Sequence, residues 1–146
     1  MAGSGKDGGV RKFRTKVKIR FSEADSAGVL FFARYFHKAH EVLEEFVRAA
    51  GIPWEDWFGA ADYLIPLRRA EADYLAPLRP GSEAEADLVV EKIGRSRVDF
   101  LVRLHSGEGK PACRVRMTCV FVGTGNFKPL SIPPAIREKL QAYLEG

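Results

Sequence analysis

A segment with helical periodicity, residues 36–50, constrains the fold more than any other part of the chain. Its apolar residues recur at intervals of three and four, and they are Phe36, Ala39, Leu43, Phe46, Val47 and Ala50. This spacing places them on one stripe of an α-helix. The charged residues of the opposite face are Arg34, Lys38, Glu41, Glu45 and Arg48. Gly51 and Pro53 are typical of a helix C-terminus, so we predict one long amphipathic helix with a buried apolar stripe.

Strand-like segments lie on both sides of this helix. Residues 13–21 alternate strictly, with basic residues on one face and Phe13, Val17, Ile19 and Phe21 on the other. Further strand-like stretches cover residues 63–75, 84–93, 97–105 and 112–122, and residues 132–144 favour a short terminal helix. The order of one strand, a long helix and four strands is typical of the α+β class. We expect an antiparallel sheet of five or six strands wrapped around the helix.

The length and composition of the chain indicate one globular domain. With 146 residues, of which 46% are hydrophobic and 29% charged, it has none of the bias of disordered, collagen-like or coiled-coil sequences. We expect residues 1–11, rich in glycine and polar residues, to form a flexible tail and residues 12–146 to form the domain. Cys113 and Cys119 fall in one predicted strand, about 20 Å apart, which excludes a disulfide between them.

Charge and hydropathy restrict the partners of the chain. No stretch has the length and hydrophobicity of a membrane span, and residues 1–9 do not resemble a signal peptide, so we expect a cytoplasmic protein without a membrane partner. A net charge of +4 and a pI near 9.2 allow an anionic partner such as a phosphate-bearing small molecule. Nucleic acid is the least favoured partner, because neither a recognition helix nor an RNA-binding aromatic motif accompanies the basic strand at residues 13–21.

Few residues qualify for chemistry, and an acidic loop stands out among them. His37, His40 and His105 lack the spacing of a metal site, and nucleotide-binding motifs are absent, so no metal or cofactor is expected. Asp25 precedes the long helix, whose N-terminal N–H groups attract negative charge. The Asp25 carboxylate, or a water that it activates, could attack a carbonyl carbon, and the helix N–H groups could stabilise the resulting oxyanion. An Asp-Ser-x-Gly stretch is also common in turns that have no catalytic role. His40 is either a substrate-binding or proton-transfer residue or a hydrogen-bonded core histidine.

Residues 21–35 resemble the signature loop of the 4-hydroxybenzoyl-CoA thioesterase branch of the hotdog-fold family, which reads approximately Asp-x-Asp-x-x-Gly-Val-Val-Tyr. The two acidic positions are occupied by Glu23 and Asp25, and the motif glycine is Gly28. The similarity covers roughly residues 13–130 and continues through Ile65-Pro66-Leu67, Tyr74-x-x-Pro77-x-x-x-Gly81 and Gly94-Arg95-Ser96. His40-Glu41 and Ile65-Pro66-Leu67 are similar to the 1,4-dihydroxy-2-naphthoyl-CoA thioesterases of quinone synthesis.

The resemblance implies a homodimer with a continuous sheet, often doubled to a tetramer, with active sites at the dimer interface. Asp25 would be the catalytic carboxylate, acting as nucleophile or as base for water, and the backbone N–H of Phe32 would polarise the thioester carbonyl. The residues implied in substrate binding are Gly28, Tyr35, His40, Arg95 and Arg97, the two arginines by contact with the CoA phosphates. Candidates for lining an acyl pocket are the aromatic residues Phe31, Phe32, Tyr35, Trp54 and Trp57. Glu23 in place of the usual aspartate is expected to change only a supporting hydrogen bond.

The predicted function is therefore that of an acyl-CoA thioesterase, which hydrolyses an aryl- or aliphatic-CoA ester to the free acid and CoA. An aryl ester is the favoured substrate. A second enzyme interpretation keeps the fold and places the essential carboxylate on the helix, at Glu41 or Glu44. A non-catalytic acyl-thioester binding protein, or a thioesterase acting on acyl-carrier-protein esters, is the alternative. The sequence leaves open the acyl group, the choice between nucleophilic and general-base catalysis, and the geometry of a tetramer.

Overall fold

A computed structural model of the chain describes residues 3–7, 10–30 and 32–145. In these residues, eight strands, a 3₁₀-helix at Phe21–Glu23 and three α-helices follow one another. The strands are β1 (Gly3–Asp7), β2 (Val10–Lys18), β3 (Tyr63–Leu64), β4 (Leu67–Tyr74), β5 (Glu83–Ile93), β6 (Arg97–His105), β7 (Pro111–Val120) and β8 (Val122–Gly123). The α-helices are α1 (Arg34–Ala49), α2 (Trp54–Phe58) and α3 (Pro134–Gln141).

Six strands form one antiparallel sheet in the order β1-β2-β5-β6-β7-β4, and β3 and β8 form a separate two-stranded sheet. This arrangement confirms the predicted α+β class and its antiparallel sheet. Strand β4 lies at one edge, and among the described residues it pairs with β7 alone. The predicted strand at 63–75 is divided by Pro66, which has no N–H to donate to a ladder.

Helix α1 packs on the sheet and contacts β2, β4, β5, β6 and β7. Most of the predicted apolar stripe is fully buried, and the ring of Phe46 lies at its centre. Its centroid is 6.1 Å from that of Phe13 on β2, 5.7 Å from that of Phe100 on β6 and 4.9 Å from that of Tyr143. These edge-to-face contacts stabilise the packing of the helix against the core beyond the burial of apolar area alone.

The described residues contain two shorter α-helices, α2 and α3, besides α1. The sequence predicts α3, which is shorter than expected, whereas α2 lies between the predicted long helix and the predicted strand at 63–75, where no element is predicted. Trp57 holds α2 against the core, because its buried ring packs against Phe100 and Phe121, at centroid distances of 5.9 Å and 5.6 Å. No helix in the described part of the chain is long and apolar enough to cross a membrane.

The N-terminal segment differs from the expected flexible tail at residues 1–11. Gly3 to Asp7 form β1, which pairs with β2 from Gly3 opposite Arg14 to Asp7 opposite Val10. A strand is held by backbone hydrogen bonds, which glycine and polar residues provide as well as apolar ones do. Residues 1, 2, 8 and 9 of the expected tail lie outside the described residues.

The end of β2 also differs from the predicted alternation. Phe13, Val17 and Ile19 are buried as expected, but the side chain of Phe21 is 87% exposed. The strand ends at Lys18, and the chain then turns into the 3₁₀-helix, so the period of two that places alternate residues on one face no longer applies at Phe21. Cys113 and Cys119 are both buried free thiols of β7, as predicted.

Candidate active site

The acidic loop between the 3₁₀-helix and α1 is a closed turn. Ala24 and Leu30 form an antiparallel bridge, and the N–H of Asp25 donates to the carbonyl of Val29 at 2.9 Å. The N–H of Gly28 donates to the carbonyl of Asp25 at 3.0 Å. Gly28 has a φ of 75°, in the left-handed region that favours glycine. The backbone therefore holds Asp25 at the start of a short, defined loop.

One oxygen of the Asp25 carboxylate is used by this turn. Its Oδ1 accepts a hydrogen bond of 2.8 Å from the N–H of Ala27, which makes an Asx turn. Within the described residues, Oδ2 has no hydrogen-bond partner, and the side chain is half-buried. The carboxylate is thus oriented through one oxygen, and the other remains available for chemistry.

The start of α1 lies next to this loop and carries partial positive charge. The first helical residue is Arg34, and no side chain of the described segment caps the helix N-terminus. Uncapped N–H groups of a first turn attract anions, and here an arginine adds to the field. The side chain of Phe32, two residues before the helix, is 60% exposed.

Two tyrosines hold the peptide at Phe32 in place. The hydroxyl of Tyr74, on β4, donates to the carbonyl oxygen of Phe32 at 3.0 Å, and the N–H of Tyr35 donates to the same oxygen at 3.3 Å. The Tyr35 and Tyr74 rings meet edge-to-face, with centroids 5.1 Å apart. Sequence reasoning missed the contact of Tyr74 with Phe32, although Tyr74 was part of the pattern that carried the resemblance.

Tyr35 is buried, which differs from its expected role as a residue that touches substrate. Only 4% of it is exposed, and its hydroxyl accepts a hydrogen bond of 3.3 Å from the N–H of Leu78. Burial raises the pKa of Tyr35, and the nearby Cys113, Tyr74 and Asp25 raise it further. The phenol therefore stays neutral, and it supports the loop through Leu78, whose carbonyl accepts a hydrogen bond from the N–H of Leu30.

Lys38 is the largest departure from the predicted helix faces. It was assigned to the charged, outward face of α1, yet it is only 1% exposed. Its Nζ lies 2.9 Å from Oε1 of Glu23 and 3.1 Å from Oε2 of Glu41. Helical periodicity could not reveal this, because one of the two carboxylates that pair with Lys38 belongs to Glu23, in the 3₁₀-helix that precedes α1 in the chain.

His40 and the predicted acyl-pocket residues lie in different places. His40 is half-exposed, with Nδ1 3.2 Å from Oε2 of Glu44 and its ring 6.2 Å from that of Phe58. A groove of about 340 Å³ follows α2 and is lined by Trp57, Phe58, Gly59, Ala60, Tyr63, Leu64, Ile65 and Pro66. Trp54 is partly exposed beside Phe58, and Phe31 lies outside the described residues.

The two arginines expected to bind phosphates are far from Asp25 in the same chain. Arg97 is opposite Val120 in the sheet, whereas Tyr74, next to the Asp25 loop, is opposite Cys113. Seven residues of β7 separate these positions, or about 23 Å. Arg97 also pairs with Asp99, at 2.8 Å, and Arg95 is exposed. One protomer therefore does not bring the predicted site residues together.

Cysteine and metal chemistry find little support in the described residues. Burial raises the pKa of Cys113 and of Cys119 to about 12, so neither thiol ionises near neutral pH. No group of three or more His, Cys, Asp or Glu side chains in the described ranges is arranged to hold a metal ion.

Comparison with known proteins identifies the family. The sequence profile of the Thioesterase-like superfamily matches residues 19–140. A 1,4-dihydroxy-2-naphthoyl-CoA hydrolase of Prochlorococcus marinus is 31% identical over 128 residues, which cover 83% of this chain and 78% of the relative. The hydrolase of the same name from Synechococcus elongatus is 30% identical over 129 residues, which cover 87% of this chain and 90% of the relative.

Solved structures agree with this result at the level of the fold. A 1,4-dihydroxy-2-naphthoyl-CoA thioesterase from Synechocystis superposes with a TM-score of 0.83 at 18% identity, covering 89% of this chain and 96% of its own. The DHNA-CoA thioesterase from Staphylococcus aureus gives a TM-score of 0.80 at 17% identity, covering 90% and 88%. The chain therefore belongs to the Thioesterase-like superfamily, and the prediction of a thioester-hydrolysing enzyme is confirmed.

Proposed function

We propose that this protein is an acyl-CoA thioesterase that hydrolyses aryl-CoA esters to the free acid and CoA without a cofactor. 1,4-Dihydroxy-2-naphthoyl-CoA is the first candidate substrate, because relatives at 30% to 31% identity carry the name of that hydrolase. The observation that carries the proposal is the position of Asp25. Its Oδ2 has no partner among the described residues, and it lies in the loop that leads into the uncapped N-terminus of α1.

The proposed mechanism uses two groups, namely the Asp25 carboxylate and the partial positive charge at the N-terminus of α1. Asp25 either attacks the thioester carbonyl carbon, forming an anhydride that water then hydrolyses, or takes a proton from the water that attacks. In both cases negative charge develops on the carbonyl oxygen, the C–S bond then breaks, and CoA leaves as a thiolate that takes up a proton released by the attacking water. The N–H of Phe32 is the proposed donor to that oxygen, and the hydrogen bond from the Tyr74 hydroxyl to the Phe32 carbonyl fixes the next peptide group along the chain.

The proposed site is completed by a second copy of the chain. Strand β4 runs from Leu67, at the Arg97 end of the sheet, to Tyr74, at the Asp25 end. Its side chains are mostly exposed, and its outer edge has no partner strand in the described residues. Antiparallel pairing of β4 with the β4 of a second copy would bring the Arg97 end of one chain to the Asp25 end of the other.

This dimer gives roles to the remaining predicted residues. Arg95 and Arg97 of one copy bind the CoA phosphates of the site that contains Asp25 of the other, and the groove beside Trp57 receives the aryl group. Gly28 and His40 are proposed to contact the acyl-CoA, while the buried Tyr35 supports the loop. The proposal also includes the finer hotdog features, namely α1 as the single central helix, the 4-hydroxybenzoyl-CoA branch, a dimer or dimer-of-dimers tetramer, and a cytoplasmic location.

Thiol release from a panel of aryl-, short-chain and long-chain acyl-CoA esters tests this function. Asp25→Asn should lower kcat by about 100- to 10,000-fold, since an amide neither attacks nor accepts the proton of water. Glu85→Gln is the control, because Glu85 is exposed on β5 and lines neither the Asp25 loop nor the groove beside Trp57. Near-normal turnover by Asp25→Asn would refute the mechanism, and parallel Glu41→Gln and Glu44→Gln variants would then locate the carboxylate.

The same panel separates the alternatives from different classes. Tight binding of CoA esters by the wild type without thiol release would favour a non-catalytic binding protein. Turnover of acyl-carrier-protein esters alone would favour the second alternative. Sedimentation velocity at several protein concentrations checks the dimer, and a monomer at all of them would refute the shared site.

A further inference from the structure

A buried ion pair joins the Asp25 loop to α1 and belongs to no proposed catalytic step. The Lys38 side chain is 2% exposed and that of Glu23 is 14% exposed, and Lys38 Nζ lies 2.9 Å from Glu23 Oε1. Burying an ammonium group is costly unless its charge is paired and its hydrogen bonds are satisfied. Of its two carboxylate partners, Glu41 is 50% exposed, so Glu23 is the partner that compensates the charge of Lys38 inside the protein.

Glu23 is in turn fixed to its own segment of the chain. Its Oε1 also accepts a hydrogen bond of 2.8 Å from the N–H of Arg20, which follows β2. Burial raises the pKa of Glu23, but the hydrogen bond from Arg20 and the hydrogen bond and charge of Lys38 outweigh it, so that the pKa is below its usual value. The carboxylate is consequently ionised throughout the pH range of a thioesterase assay.

The two ends of the Asp25 loop are anchored differently. On the side that leads to α1, Leu30 is buried, and its N–H donates to the carbonyl of Leu78 at 2.7 Å. On the opposite side, Phe21 and Ser22 are exposed, and the polar contact with α1 is made by Glu23, two residues before Asp25. Without this contact, the arm that carries the carboxylate would be held only by its bonds to the other arm, namely the Ala24–Leu30 bridge and the hydrogen bond from the Asp25 N–H to Val29.

We infer that Lys38 is a positioning residue for catalysis, which acts through Glu23 to hold the Asp25 carboxylate in register with the N-terminus of α1. This inference rests on the proposed function, because it assigns to Lys38 the orientation of the group that reacts. It also explains the glutamate at position 23. The motif that this segment resembles has aspartate at this position. The glutamate side chain is one methylene longer, and its Oε1 contacts both the Arg20 N–H and Lys38 Nζ.

Steady-state kinetics of Lys38→Met test this role, with Lys92→Met as the matched control at an exposed position on β5. A small misplacement of a reacting group is costly, so we expect kcat to fall about 10- to 100-fold while KM changes less than about 3-fold. The double variant Glu23→Gln/Lys38→Met removes both charges, and it provides the same kinetic test if the single variant does not fold. It should show the same fall in kcat, since the link to α1 is still missing.

Amide hydrogen exchange provides a readout that does not depend on turnover. In Lys38→Met, the amides of Asp25 and Gly28, whose acceptors lie within the loop, should exchange at least about 10-fold faster, while that of Val102 in the middle of the sheet keeps its protection. Lys92→Met should leave all three unchanged.

The outcomes separate failure of this inference from failure of the proposed function. An inactive wild type, or an active Asp25→Asn, would refute the proposed function, and the exchange of the loop amides would still report whether Lys38 holds the loop. A kcat of the Lys38 variants within about 2-fold of the control, with unchanged loop exchange, would overturn the positioning role. Faster exchange spread evenly over loop and sheet would overturn it as well, since that result marks a general packing role.

Discussion

The contribution of the Lys38–Glu23 pair to stability can be estimated from its burial. Removing one partner of a buried ion pair costs about 3 to 5 kcal/mol, because the other charge remains buried without compensation. In Lys38→Met, Glu23 keeps its hydrogen bond from the Arg20 N–H and is 14% exposed, so we expect the low end, about 3 kcal/mol. The second partner, Glu41, is 50% exposed, and Glu41→Gln should cost less than about 1 kcal/mol.

These values translate into a measurable shift of the melting temperature. A chain of 146 residues has an unfolding entropy of about 0.3 kcal/mol/K, so a loss of 3 kcal/mol lowers Tm by about 10 °C. Urea unfolding followed by the fluorescence of Trp54 and Trp57, at equal protein concentration for all variants, gives the free energy directly. The double variant Glu23→Gln/Lys38→Met should regain most of the lost stability, because no unpaired charge is left.

Two results would refute this reasoning about the pair. A loss below about 1 kcal/mol in Lys38→Met would mean that the pair behaves as a surface ion pair. A double variant as unstable as the single one would mean that packing of the lysine stem, and not its charge, is what matters.

The pH dependence of stability provides a further check on Glu23. Because the folded state lowers the pKa of Glu23, its contribution is present above the ordinary value of 4.5 and is lost as the pH falls through the folded pKa. The stability difference between wild type and Glu23→Gln should therefore shrink below about pH 4.5.

Further predictions concern the loop support, the phosphate contact and the thiols. Tyr74→Phe removes the hydrogen bond to the Phe32 carbonyl, and we expect a loss of about 0.5 to 1.5 kcal/mol in unfolding free energy together with a several-fold lower kcat. Arg97→Ala should raise KM about 10-fold for acyl-CoA esters and leave the KM of thioesters without the nucleotide unchanged; equal KM changes for both would contradict the phosphate contact. Cys113 and Cys119, with pKa values of about 12, should react with a thiol reagent at pH 8 only after unfolding, and rapid labelling of the native protein would disprove their burial.

The local patterns of the sequence were sufficient for the elements that bury a periodic face. The stripe of α1 and the alternation of β2 both follow from side-chain geometry within one element, and they determined the α+β class and the order of its parts. The loop with Asp25 and Gly28 was also predictable, because its turn is closed by contacts among residues 24–30. Each of these features depends on neighbours that are close in the chain.

The tertiary structure alone decided features whose partners are distant in the sequence. Lys38 is buried and paired with Glu23, which precedes α1 in the chain, and Phe21 is exposed because β2 ends before it. The carbonyl of Phe32 is bound by a tyrosine 42 residues later in the chain, and Arg97 lies at the opposite end of the sheet from the Asp25 loop. Periodicity describes which face of one element is apolar, whereas the burial of a charge and the meeting of two ends depend on which elements pack together.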